Sequence, residues 1–333
     1  MRFFQLGRRE FITLIGGTAA WPVVARAQQG TRVRRLGVLF AGSKSQFNER
    51  LKDFINALWQ LGWAERNNIQ IDYRWTDDDV AQTQTLAREL VSLKPDAILA
   101  QTTPVVSALQ RETRNIPIVF VAVTDPVASG FVASMARPGG NITGFSNFEP
   151  TLVGKHIEIL KEISPGLTAV LDMFNPDANA PRSIVIRPLL EEAARYQGIE
   201  FIPAPVRNDV DIERVISSLG DKSTTGLIVA GEPFLGARLD LIKSLTTRYR
   251  VPAVYTFRFL AEAGGLISYG NNVNEQYRQA ASYIDRILKG VNPADLPIQT
   301  PTKYEMVINL KTAKAMGLTI PPALLSRADE GIE

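Results

Sequence analysis

At 333 residues the chain is too long for one ordinary core and suits two domains of about 150 residues each, while its 45% hydrophobic and 21% charged residues exclude a disordered chain. Cysteine is absent, which excludes disulfide staples and any thiolate nucleophile or metal ligand. The net charge of +3 resides in the first 27 residues, which hold four arginines and one glutamate, so the balanced remainder excludes a basic surface for nucleic acid.

Residues 1–27 read as an export signal. Arg2, Arg8 and Arg9 make a charged start, an apolar stretch follows, and Ala25-Arg26-Ala27 supplies small residues for cleavage after about Ala27. Gly16, Gly17 and Pro22 interrupt an apolar run already too short for a permanent anchor. The stretch GRREFI resembles the twin-arginine export motif, with Gly7 in place of the usual hydroxyl residue.

Apolar runs then alternate with segments of helical period. RRLGVLF (34–40) predicts a buried strand and 47–62 a helix. IQIDYRW (69–75) predicts a strand and 79–93 a helix, the aspartates of WTDDDV capping its start and not holding a metal. AILAQ (97–101) is a strand, a helix follows Pro104, and IPIVFVAV (116–123) is a strand ending at Thr124-Asp125-Pro126. Pro126 suits the first turn of a helix. RPGGNITGFS (137–146) is a connector carrying a short strand.

The pattern restarts at 168–174. A helix is expected over 179–197, strands at 199–204 and 225–231, helices over 211–219 and 236–249, and a strand at 251–257. Punctuation repeats as well: Thr103-Pro104 and Glu232-Pro233 close the third strands, and Pro117 and Pro252 open the fourth. Strands separated by helices imply right-handed crossovers and parallel sheets. The fold class is thus α/β, with two Rossmann-like lobes. Lobe 1 is expected to comprise 34–146 plus about 270–300, and lobe 2 to comprise 147–269 plus about 301–325. A helix at 274–290 and a final strand within 293–318 require further crossings, which make a hinge.

Local catalytic motifs are missing. The sole histidine, His156, sits in a predicted helix and reads as a packing or surface residue. GVLFAGSKS lacks the glycine spacing of a dinucleotide loop, and no cofactor or metal is expected. Polar residues instead gather at strand carboxyl ends, where open α/β sheets bind ligands. Ser43, Ser45, Gln101, Thr102, Thr103, Thr124 and Asp125 would line one side, and Asn175, Asp177, Glu232, Tyr255, Phe257 and Arg258 the other. Hydroxyls near helix starts suit a carboxylate, Asp125 or Glu232 an ammonium group, and Tyr255 and Phe257 an apolar side chain.

The stretches VTDPVASGFVASMARPGGNITGFS, YGNNVNEQYRQAASYIDRILKG and LPIQTPTKYEMVINLKTAKAMGLTIPPALLSRADEGIE resemble the ABC-transporter substrate-binding protein family that includes tryptophan-binding relatives. The resemblance spans nearly the whole chain. It implies a type I periplasmic binding fold with three crossovers, closing on a small solute, possible ligands including aromatic or branched amino acids. It also implies a periplasmic location and a permease partner served by a separate cytoplasmic ATPase. An exported enzyme, or a sensory ligand-binding module, on the same scaffold stays open as an alternative.

Overall fold

A computed structural model describes residues 32–333 apart from 78, 148–149, 178–181 and 221–223, so the expected signal over 1–27 lies outside the described residues. The first sheet takes β1 (Arg34–Phe40), β2 (Ile69–Trp75), β3 (Ala97–Gln101), β4 (Ile118–Val123) and β5 (Ile142–Ser146) in the order β2-β1-β3-β4-β5, all parallel. Helices α1 (Lys44–Gln60), α2 (Val80–Ser92) and α3 (Thr103–Glu112) make its crossovers. Asp79 caps α2, accepting from the amides of Ala81 and Gln82 as the acidic cluster suggested.

The strands are apolar on both faces because both faces are covered. In β4, Ile118 and Phe120 pack into one cluster while Val119 and Val121 pack into another, the period of two expected of a strand.

The second sheet repeats the order. After α4 (Pro150–Ile163) come β6 (Ala169–Phe174), β7 (Glu200–Pro205), β8 (Thr225–Val229), β9 (Ala253–Tyr255) and β10 (Ile267–Asn271), parallel in the order β7-β6-β8-β9-β10. A π-helical turn over Arg182–Ile186 runs into α5 (Arg187–Tyr196), and α6 (Asp209–Ser217) follows β7. The single helix expected over 236–249 is two, α7 (Pro233–Gly236) and α8 (Leu239–Arg248). The short α9 (Arg258–Glu262) follows β9. Beyond β10, β11 (Tyr304–Asn309) pairs antiparallel, and β12 (Glu330–Ile332) extends the sheet past the boundary expected near 325. Helices α11 (Leu310–Met316) and α12 (Pro322–Leu325) lie between them.

Helix α10 (Val273–Leu288) leaves β10 of the second sheet but packs on α1 and β4 of the first. The chain therefore crosses between lobes after β5, after β10 and again before β11. The crossings are tied together: Ser146 N donates to Gln299 O at 2.9 Å and Gln299 N to Gly144 O at 3.0 Å. Gln276 of α10 donates through Nε2 to Ser146 O and accepts through Oε1 from Ala122 N, each at 3.0 Å. Ala122 sits in a bulge of β4 at φ 55, a conformation costly for a residue with a Cβ.

The expected helix after Thr124-Asp125-Pro126 does not form. Residues 126–130 make turns, Gly130 at φ 70 reverses the chain, and Phe131 N returns to Pro126 O at 2.9 Å.

Candidate functional site

The carboxyl ends of the two sheets face each other across a cleft with three connected chambers. Gly231, just beyond β8, borders all three. A Cβ at this position would overlap the Phe257 ring and the Thr256 hydroxyl, so the junction requires glycine.

The first chamber, of about 240 Å³, is polar. Thr102, Thr103 and Thr124 line it from one lobe, with Asn175, Asp177 and Glu232 opposite. Thr102 precedes α3 at φ 73, ψ 157, and its buried Oγ1 has no protein partner. Pro104 occupies the first turn, and no side chain caps the helix, so the positive end of α3 opens on this chamber. Thr102 and Ala122, both non-glycine residues at positive φ, border the same space; strained backbone collects at ligand sites. Glu232 accepts from Asn175 N, and Asn175 Oδ1 accepts from Asp177 N at 2.9 Å. Asp177 in turn pairs with Arg207 at 3.0 Å.

The second chamber, of about 180 Å³, is mostly apolar. Phe47 of α1 faces Leu239, Phe257, Phe259 and Leu260 of the other lobe, and Phe257 stacks on Phe259 with centroids 5.8 Å apart. Arg50 also lines it, its guanidinium 4.1 Å from the Phe259 centroid and 5.2 Å from that of Phe47. The lobes thus touch over the cleft. Gln101 borders this chamber while its Oε1 accepts from Ala41 N at 3.2 Å, holding the ends of β1 and β3 together.

The third chamber, of about 80 Å³, lies mostly against the second lobe, among His156, Arg182, Thr256 and Asn271, with Thr124 of the first lobe at its border. Arg182 forms a buried bidentate pair with Asp172. His156 Nε2 bonds Tyr269 O at 2.7 Å, so that nitrogen carries the proton. Burial pushes the imidazole down to about 4, against the opposing pull of the Tyr269 carbonyl. Thr256 Oγ1, Asn271 Nδ2 and Asn147 Oδ1, all bordering this chamber, are buried without protein partners.

Of the residues selected from sequence, Gln101, Thr102, Thr103, Thr124, Asn175, Asp177, Glu232 and Phe257 share this cleft. Five others stand elsewhere. Tyr255 is 1% exposed inside the second lobe, its hydroxyl beside Thr246 and pushed up to about 12 by burial. It is the last residue of β9 and stays within the sheet, whereas Thr256 and Phe257, beyond the strand's end, border the cleft. Asp125 is occupied by its own turn, accepting from the amides of Val127 and Ala128, and borders none of the chambers. Ser43 and Ser45 hydrogen-bond one another at 2.9 Å at the start of α1, outside the chambers. Arg258 is held by Glu262, Glu305 and Glu330.

Sequence reasoning missed Arg50, Asn147, Thr256 and Asn271. Arg50 left one trace: it falls three residues after Phe47 and four before Phe54, on the apolar stripe of its helix. A charge on that stripe is a signal. Among the described residues no group of three His, Cys, Asp or Glu could hold a metal ion.

Two sheets of one strand order, facing across a cleft and joined by three crossings, define a bilobal receptor for a small solute. The chain belongs to the ABC transporter substrate binding protein family, whose model matches residues 37–332. It is 26% identical over 285 residues to a tyrosine-binding protein of Clostridioides difficile (strain R20291), covering 86% of this chain and 81% of that one. A conserved domain protein of Vibrio cholerae superposes with a TM-score of 0.83 at 27% identity, covering 90% of this chain and 100% of the other. A Streptococcus pneumonia protein in complex with L-Trp gives 0.82 at 23% identity, covering 90% and 99%. The fold is that of the type I periplasmic binding proteins, and the function is that of a substrate-binding protein serving an ABC transporter.

Proposed function

We propose that the protein captures a free amino acid with an apolar or aromatic side chain in the interlobe cleft and presents it to an ABC permease. The carrying observation is the pair of unlike chambers joined at Gly231, one polar beside a bare helix start, the other apolar. The ligand carboxylate faces Thr102 Oγ1, Thr103 and the positive end of α3. Its ammonium group faces Asn147 Oδ1 and the Glu232 carboxylate, with Thr124 and Asn175 closing that wall. The side chain enters the apolar chamber beside Gln101 and Phe257. The tyrosine and tryptophan named for two similar proteins are ligands of this type.

The lobes, 34–146 with about 270–300 and 147–269 with the remainder, close about the three crossings. Closure gives the permease a shape by which to tell a loaded receptor from an empty one. The twin-arginine-like segment over 1–27 supports delivery to the periplasm, and no helix among the described residues is long and apolar enough to cross a membrane. No turnover is proposed, because the only imidazole is committed to the Tyr269 carbonyl. The partner carries the ATPase as a separate cytoplasmic subunit.

The test is a thermal-shift and calorimetric panel of the twenty amino acids, small carboxylates, purines and sugars. A ligand at about a hundred times its Kd stabilises the fold by about 2.7 kcal/mol. Binding confined to amino acids, with the ligand recovered unchanged, is expected. Binding confined to sugars or purines, or conversion of the ligand to product, would refute the reading.

A further inference from the structure

Among the described residues Arg50 is a buried cation that the protein leaves without an ion-pair partner. It is 9% exposed. Other buried charges have partners: Arg182 has Asp172, Asp285 has Lys289 at 2.6 Å, and Glu232 accepts from Asn175 N. Among the described residues no carboxylate forms an ion pair with Arg50: the exposed Glu49 acts on it only at a distance, and its polar neighbour is the Tyr277 hydroxyl. The guanidinium plane is gripped by Phe47 from one lobe and Phe259 from the other. Five N–H donors so placed, with one hydroxyl beside them, call for an acceptor that arrives with the ligand.

The space available narrows that ligand. An apolar cavity of about 150 Å³ accommodates one benzene ring. The second chamber, at about 180 Å³, has room for one such ring and a small substituent, and its walls are Phe47, Leu239, Phe257, Phe259 and Leu260. A carboxylate side chain would leave those walls bare, and an indole is larger than one ring.

We propose that Arg50 is a specificity-determining residue that donates to the oxygen at the far end of the bound side chain, so that the receptor selects a phenol-bearing amino acid over its hydrocarbon analogue. This inference rests on the amino-acid reading above. It assigns the two ends of the ligand to different chambers: the α-carboxylate and ammonium to the polar one, the phenol oxygen to Arg50. Closure completes the site, because Phe259 reaches Arg50 from the opposite lobe.

The experiment is isothermal titration of the protein with tyrosine, phenylalanine, tryptophan, glutamate and O-methyltyrosine, repeated on Arg50→Met, which keeps an unbranched side chain between the two rings. A hydrogen bond to a charged donor in a buried site is worth at least about tenfold in affinity. Tyrosine is therefore expected to bind at least about tenfold more tightly than phenylalanine, and Arg50→Met should bring the two within about threefold by weakening tyrosine alone. Unliganded Arg50→Met is expected to melt no lower than the parent, since it removes a buried cation that lacks an ion-pair partner. Should the variant fail to fold, the parent's tyrosine-to-phenylalanine ratio and its rejection of O-methyltyrosine decide the matter. Equal affinity for tyrosine and phenylalanine, tighter binding of glutamate, or an unchanged ratio in Arg50→Met overturns the role of Arg50 and leaves the amino-acid reading standing. Failure of every amino acid to bind overturns both.

Discussion

Replacing Gln276 tests whether the hinge is held as described. The amide is 5% exposed and bridges two backbone groups from separate segments, accepting from Ala122 N and donating to Ser146 O, each at 3.0 Å. Gln276→Ala strips both. A buried backbone group left without a partner costs about 1–3 kcal/mol, so two of them should cost about 3 kcal/mol after partial relaxation. With an unfolding entropy of about 2.1 cal/mol/K per residue, that loss lowers the Tm of a chain this size by about 5 °C. The control is Gln279→Ala on the same helix, whose amide bonds only the exposed Glu275 and should shift Tm by about 1 °C or less. Calorimetric melting of the two variants beside the parent gives the answer. If Gln276→Ala melted within 1 °C of Gln279→Ala, the amide would not be the fastener between α10 and the first crossing.

Other consequences are independent of the hinge. His156 is held neutral in the fold, its pKa lowered from 6.5 to about 4, whereas the unfolded chain takes up the proton near 6.5. Stability complete above pH 6.5 is therefore lost as pH falls towards 4, by about 3 kcal/mol across the window; His156→Gln should lack that part of the slope, and matching slopes for both proteins in pH-dependent melting would count against it. Gly231→Ala should displace Phe257 and weaken ligand binding by about tenfold or more, read by titration, since the added methyl has no room. Asp125→Ala should cost about 1 kcal/mol of stability through the loss of its turn cap and leave ligand affinity unchanged; a change in affinity would restore the ammonium role the sequence suggested. Phe257→Ala should weaken aromatic ligands more than small ones, and an equal loss for both would remove its ring from the side-chain chamber.

The scaffold was readable because its strands are buried on both faces and bounded by Pro and Gly. IQIDYRW and AILAQ match β2 and β3 end to end. Misreadings cluster where local preference and tertiary geometry diverge. Pro126 favours a helix start, but Gly130 and the Asp125 carboxylate favour a closed turn four residues long, and the turn forms. Tyr255 and Phe257 look equivalent in the sequence, yet the end of β9 sends one inward and the other to the cleft. The terminal β12 is three residues long and carries no alternating pattern, so only pairing with β11 reveals it. Arg50 was legible in principle, as a charge on an apolar stripe, but its meaning depends on Phe259, 209 positions away and on the other lobe.

Helix α10 also fixes the order in which the protein can mature. It completes the first lobe, yet it is synthesised after nearly all of the second. Trp63 donates to Asp285 across 222 positions of sequence. While the ribosome is still making β6 to β10, the first sheet is already outside the exit tunnel with α1 and the back of β4 uncovered. The lobes therefore cannot be finished one after the other like beads. Contacts of such span make folding slow and leave apolar surface in need of shelter until the last fifth of the chain arrives. A nascent chain halted before residue 273 holds the ten parallel strands of both sheets and no complete lobe, and a truncated gene product would meet the same fate.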